Sequence, residues 1–246
     1  MKVKFPGILL LGMSFAVNAA QAAPLHLESD ARKTTLIEMF SSEGCSSCPP
    51  AETWASRLAD AGGLWRDFVP VIFHVDYWDY LGWKDRFASP DFTQRQREYA
   101  NAWRSETIYT PGLVLNGREW RDWRGSKNIP VENKNPGILT IEELEAGRYQ
   151  VSFKPAAVLS GGKAHAALLG FGIDVDVTRG ENSGRTLRHD FTVLDFQTYP
   201  LRGDPLAAIF QFKTEKFSAV RFAIAAWVTA PGELKPLQAV GGYLPE

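Results

Sequence analysis

Hydrophobic positions along the chain fall into two regimes. In the first, unbroken apolar runs alternate with helically spaced segments. Residues 35–40 (TLIEMF) read as a strand that runs into the turn GCSSCPP, residues 44–50. In AETWASRLADA (51–61), Trp54, Leu58 and Ala61 fall on one face of a helix. Pro49 and Pro50 suit its first turn, where backbone N–H groups have no intrahelical partner. VPVIFHV (69–75) is a continuous apolar run, as expected of a strand buried on both faces. Strand, helix and strand in this order imply two parallel strands joined by a right-handed crossover. Residues 90–104 predict a polar helix. YTPGLVLNGREW (109–120) predicts a strand, an Asn116-Gly117 turn of the tightest hairpin type and a second strand.

The second regime begins after Gly137. RYQVSF, AHAALLGFGIDVDV, RHDFTVLDFQTY, LAAIFQF and VRFAIAAWV are short strand-like runs separated by glycine, proline or charged turns. Such spacing suggests a β-sandwich or a curled antiparallel sheet. TIEELEAG (140–147) reads as a short helix between the two parts. With a Cys-x-x-Cys turn between the first strand and helix, the expected architecture is an α/β thioredoxin-like domain over residues 23–125, a polar linker over 126–137 and an all-β, sandwich-like domain over 138–246.

Composition adds bounds. The chain has 246 residues, 45% of them hydrophobic, enough for a substantial core. No basic block stands out at a net charge of −1, so neither nucleic acid nor an acidic membrane surface is an expected partner. Lys2 and Lys4, then the apolar run Phe5–Val17, then Ala20 and Ala22 before a cut at Ala23, follow the grammar of a cleaved signal peptide over residues 1–22. Its removal takes away Lys2 and Lys4, moving the net charge from −1 to −3. The mature chain is then expected in a periplasm or outside the cell, where thiols meet oxidising conditions. No later stretch is long and apolar enough for a membrane-spanning helix.

Both cysteines of the chain lie in the Cys45-Ser46-Ser47-Cys48 turn. A Cys-x-x-Cys turn between a strand and a helix marks a thioredoxin-like redox site. There the first sulfur faces free N–H groups and the positive helix end, both of which favour thiolate. Cys45 is thus expected as an exposed nucleophile and Cys48 as the half-buried resolving thiol. A disulfide across so short a loop would restrict little chain entropy, and structural zinc normally needs four ligands. In a thioredoxin-like fold the place of Thr110-Pro111 holds a cis-proline facing the motif, so a cis bond is expected there, where backbone can pair with an extended substrate. The stretch from His74 through Asp76, Tyr77, Trp78 and Asp79 to Trp83 leaves the same sheet edge and is a candidate lining of a peptide groove. His74 or an aspartate could move protons for the thiols. Glu38, in the strand before the motif, is a candidate proton acceptor for Cys48.

The chain resembles a family of bacterial secreted thioredoxin-like proteins catalogued as a domain of unknown function. The resemblance rests on IEMFSSEGCSSCPPAE, FHVDYWDYLGWKDRFASPDFTQRQREYA, YTPGLVLNG and TRGENSGRTLRHDF, spread over nearly the whole mature chain. It implies a thioredoxin-like N-terminal part with a β-rich C-terminal part and supplies no substrate. Where a typical thioredoxin has proline inside the motif, this chain has Ser46-Ser47, so the redox direction does not carry over. The expected activity is thiol–disulfide exchange on protein or peptide disulfides, with a redox partner protein and no organic cofactor. Two rivals stand beside it: a copper(I) carrier using Cys45, Cys48 and His74, a soft donor set, and a non-catalytic binding module with an inert disulfide. Arg179, Glu181, Asn182, Arg185 and His189 read as a polar network closing a hairpin, with a partner-binding loop as the alternative.

Overall fold

The computed structural model describes residues 1, 24–124, 126 and 128–245. The leader expected over 1–22 lies, Met1 aside, outside the described residues. In chain order the elements are β1 (His26–Glu28), β2 (Thr35–Ser41), α1 (Pro49–Ser56), β3 (Phe68–His74), α2 (Pro90–Ala102), β4 (Gly112–Leu115), β5 (Arg118–Glu119), β6 (Gly137–Glu145), β7 (Arg148–Pro155), β8 (Lys163–Phe171), β9 (Ile173–Val177), β10 (Arg185–His189), β11 (Thr192–Pro200), β12 (Leu206–Gln211), β13 (Arg221–Thr229) and β14 (Pro236–Tyr243).

The expected pairing of an α/β thioredoxin-like domain with a separate all-β domain is not the architecture. Strands make up 43% of the described residues and helices 15%. Strands from both regimes join in one eight-stranded mixed sheet of order β14-β13-β8-β11-β3-β2-β4-β5. The join is β11, which lies parallel to β3 through Thr192 and Ile72 and antiparallel to β8. A buried apolar run such as β3 needs a neighbour on each side for its backbone groups. Here β2 provides one and β11, more than a hundred residues later, provides the other. Nothing local in 69–75 names that second partner.

Strand alternation then builds two cores from the same strands. On β8, Ala167, Leu169 and Phe171 join the core around β2, β3 and α2, while Ala164, Ala166 and Leu168 join a second core. On β13, Ala223, Ala225 and Trp227 go one way, and Ile224, Ala226 and Val228 the other. The second core is closed by a four-stranded antiparallel sheet of order β1-β6-β7-β12. The stretch 140–147, expected to include a short helix, belongs mostly to β6, because alternate residues Leu139 and Ile141 are needed against that core. β9 and β10 form a separate two-stranded hairpin.

The local elements of the first regime form as their residues dictate. Ser89 caps α2 by accepting from the Asp91 N–H at 3.2 Å, and Pro90 opens the helix. Asn116 and Gly117 take positive φ of 49° and 81°, the backbone of the expected two-residue hairpin turn. α1 is shorter than expected; Trp54, Leu58 and Ala61 do pack half-buried against the first core, but Leu58 and Ala61 lie beyond the helix end. The helix buries Ala51, Glu52 and Ala55, while Trp54 packs edge-on against Trp120 at 5.6 Å. Turning Glu52 inward carries a cost that only fixed partners can offset, and those partners lie at the site. The stretch read as a linker runs beside the start of β2, where the Pro130 carbonyl accepts from the Thr35 hydroxyl at 2.8 Å.

Candidate functional site

β2 ends at Ser41, and the loop that follows folds back on itself before α1. Cys45 N–H donates to the Ser42 carbonyl at 3.1 Å and Cys48 N–H to the Cys45 carbonyl at 3.2 Å. Both cysteines are free thiols. Cys45 was expected to be exposed; its exposure is 1%, and that of Cys48 is 0%. Contacts reach the cysteine turn from two sides. From one side comes Thr110, whose peptide bond to Pro111 is cis and whose carbonyl lies 3.8 Å from Cys45 Sγ. From the other comes the β9–β10 hairpin: Asn182, wholly buried, donates to the carbonyls of Glu43 at 2.8 Å and Cys45 at 3.0 Å. Glu181 accepts from the Ser46 N–H at 3.0 Å, and Arg185 holds the Asn182 amide oxygen at 2.8 Å. The polar loop at 179–189 thus closes over the cysteine turn rather than only its own hairpin.

The two sulfurs are driven apart in acidity. The Cys48 hydrogen bond lowers the Cys45 thiol most; burial opposes it, and the Ser47 hydroxyl, 3.2 Å away, and Thr110 lower it further, to about 6. Burial pushes Cys48 strongly upward, and its bond to Cys45 and the Cys45 charge push the same way. The origin differs from the helix-end account. With proline at the first two helical positions, those residues have no N–H to offer, and side-chain donors carry most of the effect.

Beneath the thiols lies a buried polar cluster. His74, the last residue of β3, bonds through Nδ1 to Asp85 Oδ2 at 2.6 Å. Asp85 also accepts from the N–H groups of Glu43 at 2.9 Å and Phe87 at 2.9 Å. His189, the last residue of β10, bonds through Nδ1 to Glu52 at 2.5 Å, with its Nε2 3.2 Å from Glu43 Oε1. Glu52 accepts as well from the Ser41 hydroxyl, and Glu43 from the Trp83 indole at 2.6 Å. The imidazole rings of His74 and His189 lie 5.1 Å apart. Burial pulls His189 down, but Glu52 and Glu43 outweigh it and raise it to about 10; His74 rises likewise against burial through Asp85. Burial works against the charges of Glu52 and Asp85, yet their histidines hold both below the ordinary carboxylate range.

Other expected residues take different places. Glu38 does not serve Cys48 directly: its oxygens are occupied by Arg95, at 2.6 Å, and by the Tyr99 hydroxyl. Trp78 donates to the Thr110 hydroxyl at 2.8 Å, and burial and the nearby sulfurs push the Tyr77 phenol upward. Tyr77 also meets Gln96 at 3.2 Å, Asp76 accepts from Thr93 at 2.6 Å, and Asp79 accepts from the Asp85 N–H at 3.3 Å, so these three brace the loop. An aromatic surface groove of about 350 Å³ does flank Pro111, lined by Tyr109, Trp120 and Trp123 instead of the 74–83 stretch. Cys45, Cys48 and His74 form no joint metal-binding group among the described residues; the group that closes up is Glu52, His74 and His189. Glu43, Glu52 and Asp85 escaped the sequence reading. An acid one turn into a helix after Cys-Pro-Pro was the available signal for Glu52; Glu43 and Asp85 offered none.

Fold and site together define a mixed-sheet protein in which a dithiol turn sits over buried histidine–carboxylate pairs. The chain belongs to the family described as "Protein of unknown function (DUF1223)", whose model matches residues 36–229. Among solved structures, it is similar to protein AGR_C_4864 from Agrobacterium tumefaciens, at 26% identity and a TM-score of 0.60 over 85% of this chain and 93% of that one. It is also similar in fold to HBP35 of Porphyromonas gingivalis, at 13% identity and a TM-score of 0.55 over 87% of this chain and 76% of that one. No curated protein matches the chain. Among the described residues no helix is long and apolar enough to cross a membrane.

Proposed function

We propose that the chain is a thiol–disulfide oxidoreductase acting outside the cytoplasm on protein or peptide disulfides. The observation that carries the reading is the split pair of free thiols: Cys45 favoured as thiolate at about 6, Cys48 held protonated beside it. The Cys45 thiolate attacks one sulfur of a substrate disulfide, forming a mixed disulfide and releasing the first substrate thiolate. Cys48 then attacks Cys45 Sγ, its proton passing to the second departing thiolate, so the substrate gains two electrons and the Cys45–Cys48 pair becomes a disulfide. The same steps run in reverse, and the potential of the couple against its partner's decides the direction. Thr110 and the groove beside Pro111 are where substrate backbone would lie.

The near-complete burial of Cys45 favours a second reading, a binding module whose cysteine pair is inert. Equilibration in glutathione buffers separates the two. Exchange predicts a defined potential between roughly −120 and −270 mV, mixed disulfides trapped by Cys48→Ser and none by Cys45→Ser. A pair that fails to equilibrate while the chain stays folded would leave the inert module.

A further inference from the structure

Thiol exchange accounts for the sulfurs and leaves the cluster beneath them unexplained. Glu52 on α1, His74 on β3 and His189 on β10 each bring one metal-binding atom within 4.8 Å of the other two, and all three residues are buried. Asp85 occupies Nδ1 of His74, which leaves Nε2 as the atom His74 can offer, and that nitrogen has no hydrogen-bond partner. Nε2 of His189 and Oε1 of Glu43 are also buried without a bonded partner, though they lie 3.2 Å apart. Polar atoms removed from water and left unpaired cost free energy, and native interiors rarely keep several in one place. Three side chains from three separate elements converge here: Glu52 is bonded to Ser41 and His189, His189 is flanked by Glu52 and Glu43, and His74 meets that cost in full at Nε2.

We propose that Glu52, His74 and His189 form a binding site for a divalent first-row metal ion of the zinc type. Two imidazoles and one carboxylate are a donor set that zinc uses with a further position left open. Calcium and magnesium take oxygen ligands, and Cu(I) takes sulfur, so this set suits neither class. The surroundings are those of a metal site. Asp85 grips the far nitrogen of His74 and is itself fixed by two backbone N–H groups, the arrangement that orients a metal-binding imidazole. The charges agree as well. Three buried carboxylates, Glu43, Glu52 and Asp85, surround two rings 5.1 Å apart. A dication bound between the rings would be a counter-charge to these carboxylates.

The site does not depend on the thiol reading, and the test keeps them apart. The full chain is unfolded with chelator, refolded with zinc or cobalt(II) alone, dialysed and assayed for metal per chain. One equivalent is expected in the wild type and also in Cys45→Ser/Cys48→Ser, with a cobalt spectrum free of thiolate charge-transfer bands. Glu52→Gln and His189→Gln should lose the ion. Asp85→Asn, which keeps all three ligands, should weaken zinc roughly 10–100-fold. If the ligand variants do not fold, the wild-type stoichiometry and the Asp85→Asn titration still decide. Wild-type chain that refolds and retains no metal overturns the proposal, as does retention that vanishes with the cysteine pair.

Discussion

Removing Cys48 tests the account of Cys45 acidity most directly, because the Cys48 hydrogen bond is the largest influence lowering Cys45 from its ordinary 9.0 to about 6. In Cys48→Ala the Cys45 value should climb toward 9.0. At pH 7 the thiolate fraction would then fall from about 90% to about 1%, and only the thiolate reacts. A more basic thiolate is also a better nucleophile, with a Brønsted slope of about 0.4–0.5, which over three units returns roughly 16–32-fold. The net loss in alkylation rate at pH 7 is therefore only about 3–6-fold, while above pH 9 the variant should react faster than the wild type. The assay is pseudo-first-order alkylation by a small uncharged reagent, followed by mass spectrometry from pH 5 to 10. Burial slows both proteins alike and cancels in the ratio. In the wild type Cys48 stays protonated across the range, so one titration is expected, near 6. Crossing profiles support the reasoning; a wild-type midpoint near 9, or superimposable profiles, would refute it.

Further expectations concern the scaffold. Glu38→Gln strands the Arg95 guanidinium, which packs over Phe73, Phe196 and Trp227 at 5.3–5.5 Å, and should cost about 3–5 kcal/mol in urea unfolding; a cost under about 1 kcal/mol would contradict the pairing. The same variant should leave the Cys45 alkylation profile unmoved, since Glu38 serves Arg95 and Tyr99 instead of the thiols. Asn182→Ala removes the donor to two backbone carbonyls and should cost about 1–3 kcal/mol. By loosening the hairpin over Cys45 it should also speed alkylation; an unchanged rate would mean that the hairpin is not what shields the sulfur. Gly44→Ala would place a Cβ 2.8 Å from Trp78 Cβ, so a drop of about 1–3 kcal/mol in thermal unfolding is expected, and a silent substitution would show that this approach is looser.

What the sequence determined by itself was local. The apolar runs at 35–40 and 69–75, the polar helix from residue 90, the Asn116-Gly117 turn and the cysteine spacing all carry their structure in neighbouring residues, through backbone preferences and strand or helix periodicity. The family followed from motifs of the same kind. The tertiary structure decided what depends on distant partners. An apolar strand shows that it is covered without showing by what, so the addition of β11 beside β3, and with it one continuous sheet in place of two domains, lay beyond local reading. The site divides along the same line. Cys45 and Cys48 declare themselves by spacing, and His74 by its place at a strand end. Glu38 turned to Arg95, and Glu43, Glu52, Asp85 and Asn182 acquired their roles only when β10 carried His189 and its hairpin over the cysteine turn. Buried polar side chains are set by who meets them in space, because in the interior each must find a partner or meet the full cost of leaving water.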